Sequence, residues 1–169
     1  VGIGTYYLKI TQYSDDNSAP YSLAGSFSAS NPDTGEPNAS SGQAYEIADD
    51  ANFTATIGLV DDAVDWYQLT FDTNGTFNFT VSNLNSSSVS NGQIDDCYLY
   101  NSALTSITSI SNITASNTST SSTVPVEGGQ TYYIKVNDYM QSSTFYHGAP
   151  YRLQVSYTAS DATDFGEPN

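Results

Sequence analysis

The 169 residues include one cysteine, one histidine, one methionine, one tryptophan, and three lysines and arginines together. Each shortage excludes a class of chemistry. A single cysteine, Cys97, can form no disulfide within the chain and no cysteine-based zinc site. Three basic residues against eighteen acidic ones give a formal net charge of -15. A surface of that sign repels nucleic-acid phosphate and anionic lipid alike. No apolar run approaches the ~20 residues that span a bilayer, so no membrane insertion is expected. No leader peptide is recognisable in the sequence. His147 lies in a loop bounded by Gly and Pro, and Cys97 lies in an alternating run. Nothing in the pattern sets a base beside a nucleophile, and no sheltered carboxylate pair stands out, so the chain reads as a non-enzyme.

What is abundant points elsewhere. Aromatics make up 13% of the chain, with fourteen tyrosines. Disordered acidic chains are poor in such groups, so this acidity belongs to a folded surface. A surface rich in Ser, Thr and Asn and poor in Lys suits an extracellular location. The dominant period is two. Thr76-Phe77-Asn78-Phe79-Thr80-Val81 alternates polar and apolar, as do Asp65 to Phe71, Tyr133 to Val136 and Tyr151 to Tyr157. Alternation of this kind sets one strand face on a core and the other in water. Turn signals such as Asp72-Thr73-Asn74-Gly75 and Glu127-Gly128-Gly129 separate the runs. Strands are predicted near 5–11, 20–28, 52–59, 65–72, 75–82, 94–101, 105–110, 120–126, 130–138 and 150–158, with at most a short turn after Asn38. Residues 83–91 and 111–123 read as exposed loops or edge strands. Many short strands with short connections imply an all-β, antiparallel sandwich or barrel.

The sequence also repeats itself. Thr5-Tyr6-Tyr7-Leu8-Lys9-Ile10 returns as Thr131-Tyr132-Tyr133-Ile134-Lys135-Val136. Ala19-Pro20-Tyr21-Ser22-Leu23 returns as Ala149-Pro150-Tyr151-Arg152-Leu153, and Gly35-Glu36-Pro37-Asn38 as Gly166-Glu167-Pro168-Asn169. Three matches in one order imply tandem repeats. On this reading residues 1–32 carry the last two strands of a preceding repeat, 33–158 form one complete module, and 159–169 are a linker and the start of the next. One tyrosine of each pair, 6/7 and 132/133, should pack in the core. The other would lie at an interface or on a ligand platform.

Several acidic groups are candidates for metal binding. Asp61, Asp62 and Asp65 place three carboxylates within five residues, which repel one another unless a cation or water screens them. Spacing alone does not separate a solvated acidic turn from a metal loop. Asp49 and Asp50 read as a solvated turn. Asp95 and Asp96 read as turn or cap residues, and Cys97 as a small buried hydrophobe.

Four motifs occur in order: Glu36-Pro37-Asn38, Asp62-Ala63-Val64-Asp65-Trp66-Tyr67, Ile94-Asp95-Asp96-Cys97-Tyr98-Leu99-Tyr100, and Gly129-Gln130-Thr131-Tyr132-Tyr133-Ile134-Lys135-Val136. Together they resemble the bacterial pre-peptidase C-terminal domain, a family related to the collagen-binding domains of clostridial collagenases. The resemblance implies a jelly-roll-like sandwich, secretion, and a calcium ion where the incoming linker meets the Asp-rich loop. Glu36, Asn38, Asp62 and Asp65 are the implied ligands, with Asp33 or Asp61 completing the shell. The family commonly carries Asp after Glu-Pro-Asn. Ala39 stands there in this chain, and Asp33 is the substitute. Asp164, Glu167 and Asn169 repeat the linker set, and their partner loop would come from the next module. Neighbouring copies or repeats of the same protein are therefore the expected partners, through calcium-clamped junctions, with extracellular matrix or polysaccharide as the other partner class. Sequons occur at Asn38, Asn52, Asn74, Asn78, Asn85, Asn112 and Asn117. Those in polar loops, Asn85, Asn112 and Asn117, are the expected glycosylation acceptors. The functional expectation is a calcium-stabilised structural module of an extracellular fibre, stalk or adhesin array. The alternative is a substrate-binding accessory domain of a secreted hydrolase.

Overall fold

The computed structural model describes residues 7–11, 20–25, 33–57, 63–84, 94–113, 118–138 and 149–160. The chain divides into two compact units, Val1–Ser30 and Asn31–Asn169. In the larger unit a short 3₁₀ turn, Ser41–Gln43, precedes ten strands. These are β1 (Tyr45–Glu46), β2 (Asn52–Ile57), β3 (Val64–Thr70), β4 (Gly75–Asn83) and β5 (Ile94–Tyr100). They continue with β6 (Ser106–Ile113), β7 (Thr118–Thr120), β8 (Val124–Val126), β9 (Thr131–Asp138) and β10 (Ala149–Ala159).

The strands form two sheets. The first runs β1-β3-β9-β5-β6 and the second β2-β10-β4-β7, with β8 also pairing β4. All pairings are antiparallel except β1 with β3, a two-residue parallel contact that the alternation could not disclose. The all-β class follows from the period-two reading, and the two separate sheets make it a sandwich rather than a barrel. Phe77, Phe79 and Val81 of β4, Tyr132, Ile134 and Val136 of β9, and Tyr151, Leu153 and Val155 of β10 all turn inward and are buried. Each large side chain so buried contributes about 1.5–3 kcal/mol.

Three boundaries differ from expectation. The run 120–126 is two strands, β7 and β8, with Ser121 between them; its hydroxyl accepts the Phe79 N–H at 3.0 Å. The Ser/Thr/Asn-rich stretch after 110 continues β6 to Ile113, whose side chain is fully buried against the core. Residues 7–11 and 20–25, read as strand, carry none. The physical cause lies in where their counterparts sit. β9 is flanked by β3 and β5, and β10 by β2 and β4, so the two are in different sheets and do not pair with each other. A copy of that pair would likewise take its ladders from other strands and not from each other.

Candidate functional site

The Asp33–Asn38 segment is laced onto the sandwich before β1 begins. Asp33 Oδ1 accepts the Thr56 N–H at 3.1 Å, and Thr34 Oγ1 donates to the Thr54 carbonyl at 2.9 Å, both on β2. Gly35 then turns with φ +101°, and a Cβ there would meet the Tyr45 ring at 2.6 Å. Only glycine satisfies both the dihedral and the close approach. The Asn38 carbonyl accepts the Trp66 N–H at 2.9 Å, which ties the far end of the segment to β3. Six residues thus bridge the two sheets.

That path delivers Asn38 to a fully buried position beside Asp65, itself fully buried. Asp65 shares the inward face of β3 with Tyr67 and Leu69. The Asn38 amide lies 2.7 Å from Glu36 Oε1 and 3.1 Å from Asp65 Oδ1. On the other side, Asp65 Oδ2 accepts a short hydrogen bond from the Tyr151 hydroxyl and a longer one, 3.4 Å, from Tyr67. The two hydroxyls are 2.5 Å apart. Tyr67 stands on the first sheet and Tyr151 on the second, so one carboxylate joins both layers.

The amide at Asn38 has two chemically distinct orientations. With Nδ2 toward the carboxylates it donates to Glu36 and Asp65. With Oδ1 toward them an acceptor would face two acceptors, so the donating orientation is the one these carboxylates satisfy on their own. Burial holds the Asp33 carboxyl above its ordinary value, against the Thr56 N–H. Burial and then the Asp33 charge raise Glu36, against the Asn38 N–H. Burial, followed by the Asp65 charge, pushes both the Tyr67 and the Tyr151 phenols up, so both stay protonated donors.

The other sequence-derived candidates distribute as follows. Glu36, Asn38 and Asp65 come together. Asp33 is held against β2 by the Thr56 N–H and reaches Glu36 through its field rather than as a fourth converging group. Among the described residues no cluster of three or more His, Cys, Asp and Glu side chains is poised to hold a metal. Asp61, Asp62, Asp164, Glu167 and Asn169 lie outside the described residues, as do Asn85, Asn117 and the side chain of Asn112. Asp49 and Asp50 are exposed in a turn. Asp96 accepts the Tyr98 hydroxyl at 3.0 Å within β5. Cys97 is buried, and burial followed by the Asp96 charge pushes its thiol well up. Sequence reading missed the two phenols at Asp65. The signal was available in β3, where Asp65 and Tyr67 share one face of an alternating run.

The outer face of the first sheet carries a second feature. Trp66 pairs across to Lys135, which pairs to Tyr98, and Tyr133 pairs to Tyr100. The Trp66 and Tyr100 rings stack at 5.5 Å, Tyr133 meets Trp66 edge-on at 6.3 Å, and Lys135 Nζ sits 5.5 Å from the indole centroid. Tyr132 packs inward while Tyr133 joins this face, the split foreseen for that pair.

No protein-family model matches the chain and no curated protein matches it. Among solved structures, the chain is similar to the pre-peptidase C-terminal domain of a collagenase from Bacillus anthracis. The identity is 16% and the TM-score 0.45, over 66% of this chain and 92% of that one. It is also similar to a family 35 carbohydrate binding module from an environmental isolate, at 14% identity and a TM-score of 0.34, over 80% and 90%. The likeness is one of all-β, two-sheet sandwich architecture, and no site residue is transferred from either protein.

Proposed function

We propose that residues 33–158 are a calcium-stabilised β-sandwich module of an extracellular structural protein, built from repeats of this unit, with a binding and mechanical role rather than a catalytic one. The observation that carries the reading is the convergence of Glu36, Asn38 and Asp65 at the point where the leading segment is clamped across both sheets. Two carboxylates and an amide oxygen are hard donors of the kind calcium prefers over softer metals. Glu36, Asn38 and Asp65 would hold the ion, with Asp33 adding negative charge beside Glu36. Asp61 and Asp62 precede β3 closely enough in sequence to supply further oxygens. A bound divalent cation supplies charge neutralisation here and no reaction. It would fix the segment to the body and reduce the repulsion between acidic modules. Extracellular calcium sites of modest affinity work in the 10⁻⁴–10⁻³ M range, on the order of what such a partly preformed site would need.

The test is thermal melting of the full chain with millimolar calcium and with chelator. A ligand that binds the folded state alone raises stability by about 2.7 kcal/mol at one hundred times its Kd. Calcium should raise the melting temperature of the wild type and leave Glu36→Gln with Asp65→Asn unmoved. Melting curves that superimpose with and without calcium would sink the reading.

The aromatic outer face favours a second reading, an accessory module for neutral polysaccharide. Flat rings at partly exposed positions offer stacking surfaces for sugar rings, and Gln68, Thr131 and Asn137 on the same face offer hydrogen bonds. Retention on insoluble polysaccharide that Trp66→Ala abolishes would support it. Equal retention of both proteins would exclude it.

A further inference from the structure

The sandwich takes the chain in at one end and releases it at the other. Thr56, which holds Asp33, pairs with Pro150 near the start of β10. Ser160 directly follows β10, and its N–H and hydroxyl both donate to the Asn74 carbonyl at 2.8 Å. The length of β10, roughly 35 Å, separates the two points.

Each end displays aliphatic side chains that the core does not use. At the exit end Asn101, Ile107, Pro125 and Ser160 line one cleft. Ile107 is the extra residue of a bulge, since Leu99 pairs with Thr108 and Tyr100 with Ser106, and it is 39% exposed. Leu104 sits in the β5–β6 turn at φ +57° and is 45% exposed. The turn is otherwise well made. Asn101 Oδ1 accepts the Ala103 and Thr105 N–H groups at 3.0 and 2.9 Å, and the Asn101 carbonyl accepts the Leu104 N–H at 2.9 Å. It requires only a positive φ at position 104, which glycine or asparagine adopts readily and leucine does not. Leucine there is disfavoured twice, by its backbone and by its hydration, and nothing inside the module offsets either. At the entry end Leu84 is 40% exposed. Its N–H donates to the Pro150 carbonyl at 2.8 Å, which sets it one strand away from Thr56 and Asp33.

The repeat limits how far apart these two ends can lie in consecutive modules. Ala159-Ser160 has a counterpart in Ala29-Ser30. Asp33, which opens one module, follows Ser30 by three residues, and Asp164, its counterpart, follows Ser160 by four. Four extended residues reach roughly 14 Å, well under the length of β10. The entry end of one module is thus tethered beside the exit end of the module before it. We propose that consecutive modules pack end to end, with Leu104 and Ile107 of one against Leu84 of the next. The leucine at positive φ is then an interface residue, and the contact removes its apolar surface from water. This contact rests on the tandem repeats proposed above, and it needs no calcium. It joins two different surfaces, so it propagates from module to module without closing on itself.

The test compares this chain with a longer one, in which a second copy of residues 39–169 continues from Asn169 through the natural linker. Both are measured in chelator. In the original chain Leu104→Gly should leave the melting temperature unchanged or raise it, because glycine adopts the turn without strain. In the longer chain the same substitution in the first module should lower the melting temperature by about 3 °C. A residue that served only its own turn would move both chains in the same direction. Leu104→Cys in the first module with Leu84→Cys in the second should form a disulfide under mild oxidation that neither single variant forms; Cys97 is buried and does not compete. Two modules that both fold, melt as the single one does and form no disulfide would overturn the contact and leave the repeats standing. A longer chain whose second module gives no folded tryptophan signal would overturn the repeats and the contact together.

Discussion

One strand, β3, carries both notable features of this protein on alternate residues, and they invert the usual partition. Asp65, a carboxylate, faces the core, while Trp66, the chain's lone tryptophan, faces outward. Inside, the charge is surrounded by two phenols and an amide, so its burial is offset by directed hydrogen bonds. Outside, the indole is covered by neighbouring rings and a lysine, so its exposure is offset by stacking and cation–π contact. The inner arrangement is rigid and all-or-none, because each missing partner leaves a buried polar atom unmatched. The outer one is graded, because any ring removed is replaced by water at little cost.

Breaking the inner arrangement should therefore have the largest effect. Asp65→Ala removes the acceptor shared by the two tyrosine hydroxyls and the Asn38 amide, leaves at least one phenol hydrogen unmatched, and should cost about 3 kcal/mol in chemical denaturation. A loss under ~1 kcal/mol would mean that water or a rearranged Asn38 replaces it. Tyr151→Phe removes a single donor to a charged acceptor and should cost roughly 2 kcal/mol. Trp66→Ala on the outer face should cost about 1 kcal/mol or less, and it should leave any calcium-dependent shift in melting intact.

A pH titration sharpens the same contrast and should give the smallest change. Asp33 and Glu36 sit above their ordinary values of 3.8 and 4.5. The folded state then binds their protons more tightly than the unfolded state does. Their contribution is fully present below those ordinary values and is lost as pH rises through the raised ones. Metal-free protein should lose this increment on going from acid toward neutrality. Asp33→Asn with Glu36→Gln should flatten that part of the profile. An unchanged slope in the double variant would remove these groups as its source.

Much of this was legible in the sequence, and the reasons are physical. Period-two alternation is a backbone property, so β3, β4, β9 and β10 and their inward faces could be read directly. The closeness of Glu36, Asn38 and Asp65 was expected from the resemblance, and nothing in composition alone requires it. The role of Tyr151 could not be read, because its meeting with Asp65 depends on which sheet β10 joins. The parallel β1–β3 contact was equally hidden, since two residues are too few to display a period. The N-terminal copy, residues 7–11 and 20–25, is described without strand. Its pattern is that of strands, yet a pattern specifies only a willingness to pair, and partners decide the outcome.

The central placement of β9 and β10 also bears on the order of events during synthesis. Both strands lie late in the chain, yet each is the middle of its sheet. Until residues 131–159 emerge from the ribosome, β3 has no bridge to β5 and β2 none to β4. A nascent chain of β1 to β8 can form only the partial ladders β1–β3, β5–β6 and β4 with β7 and β8, which await a keystone. Folding dominated by such distant pairings is slow. The sandwich should stay open until β10 has been made and then lock in one late, cooperative step.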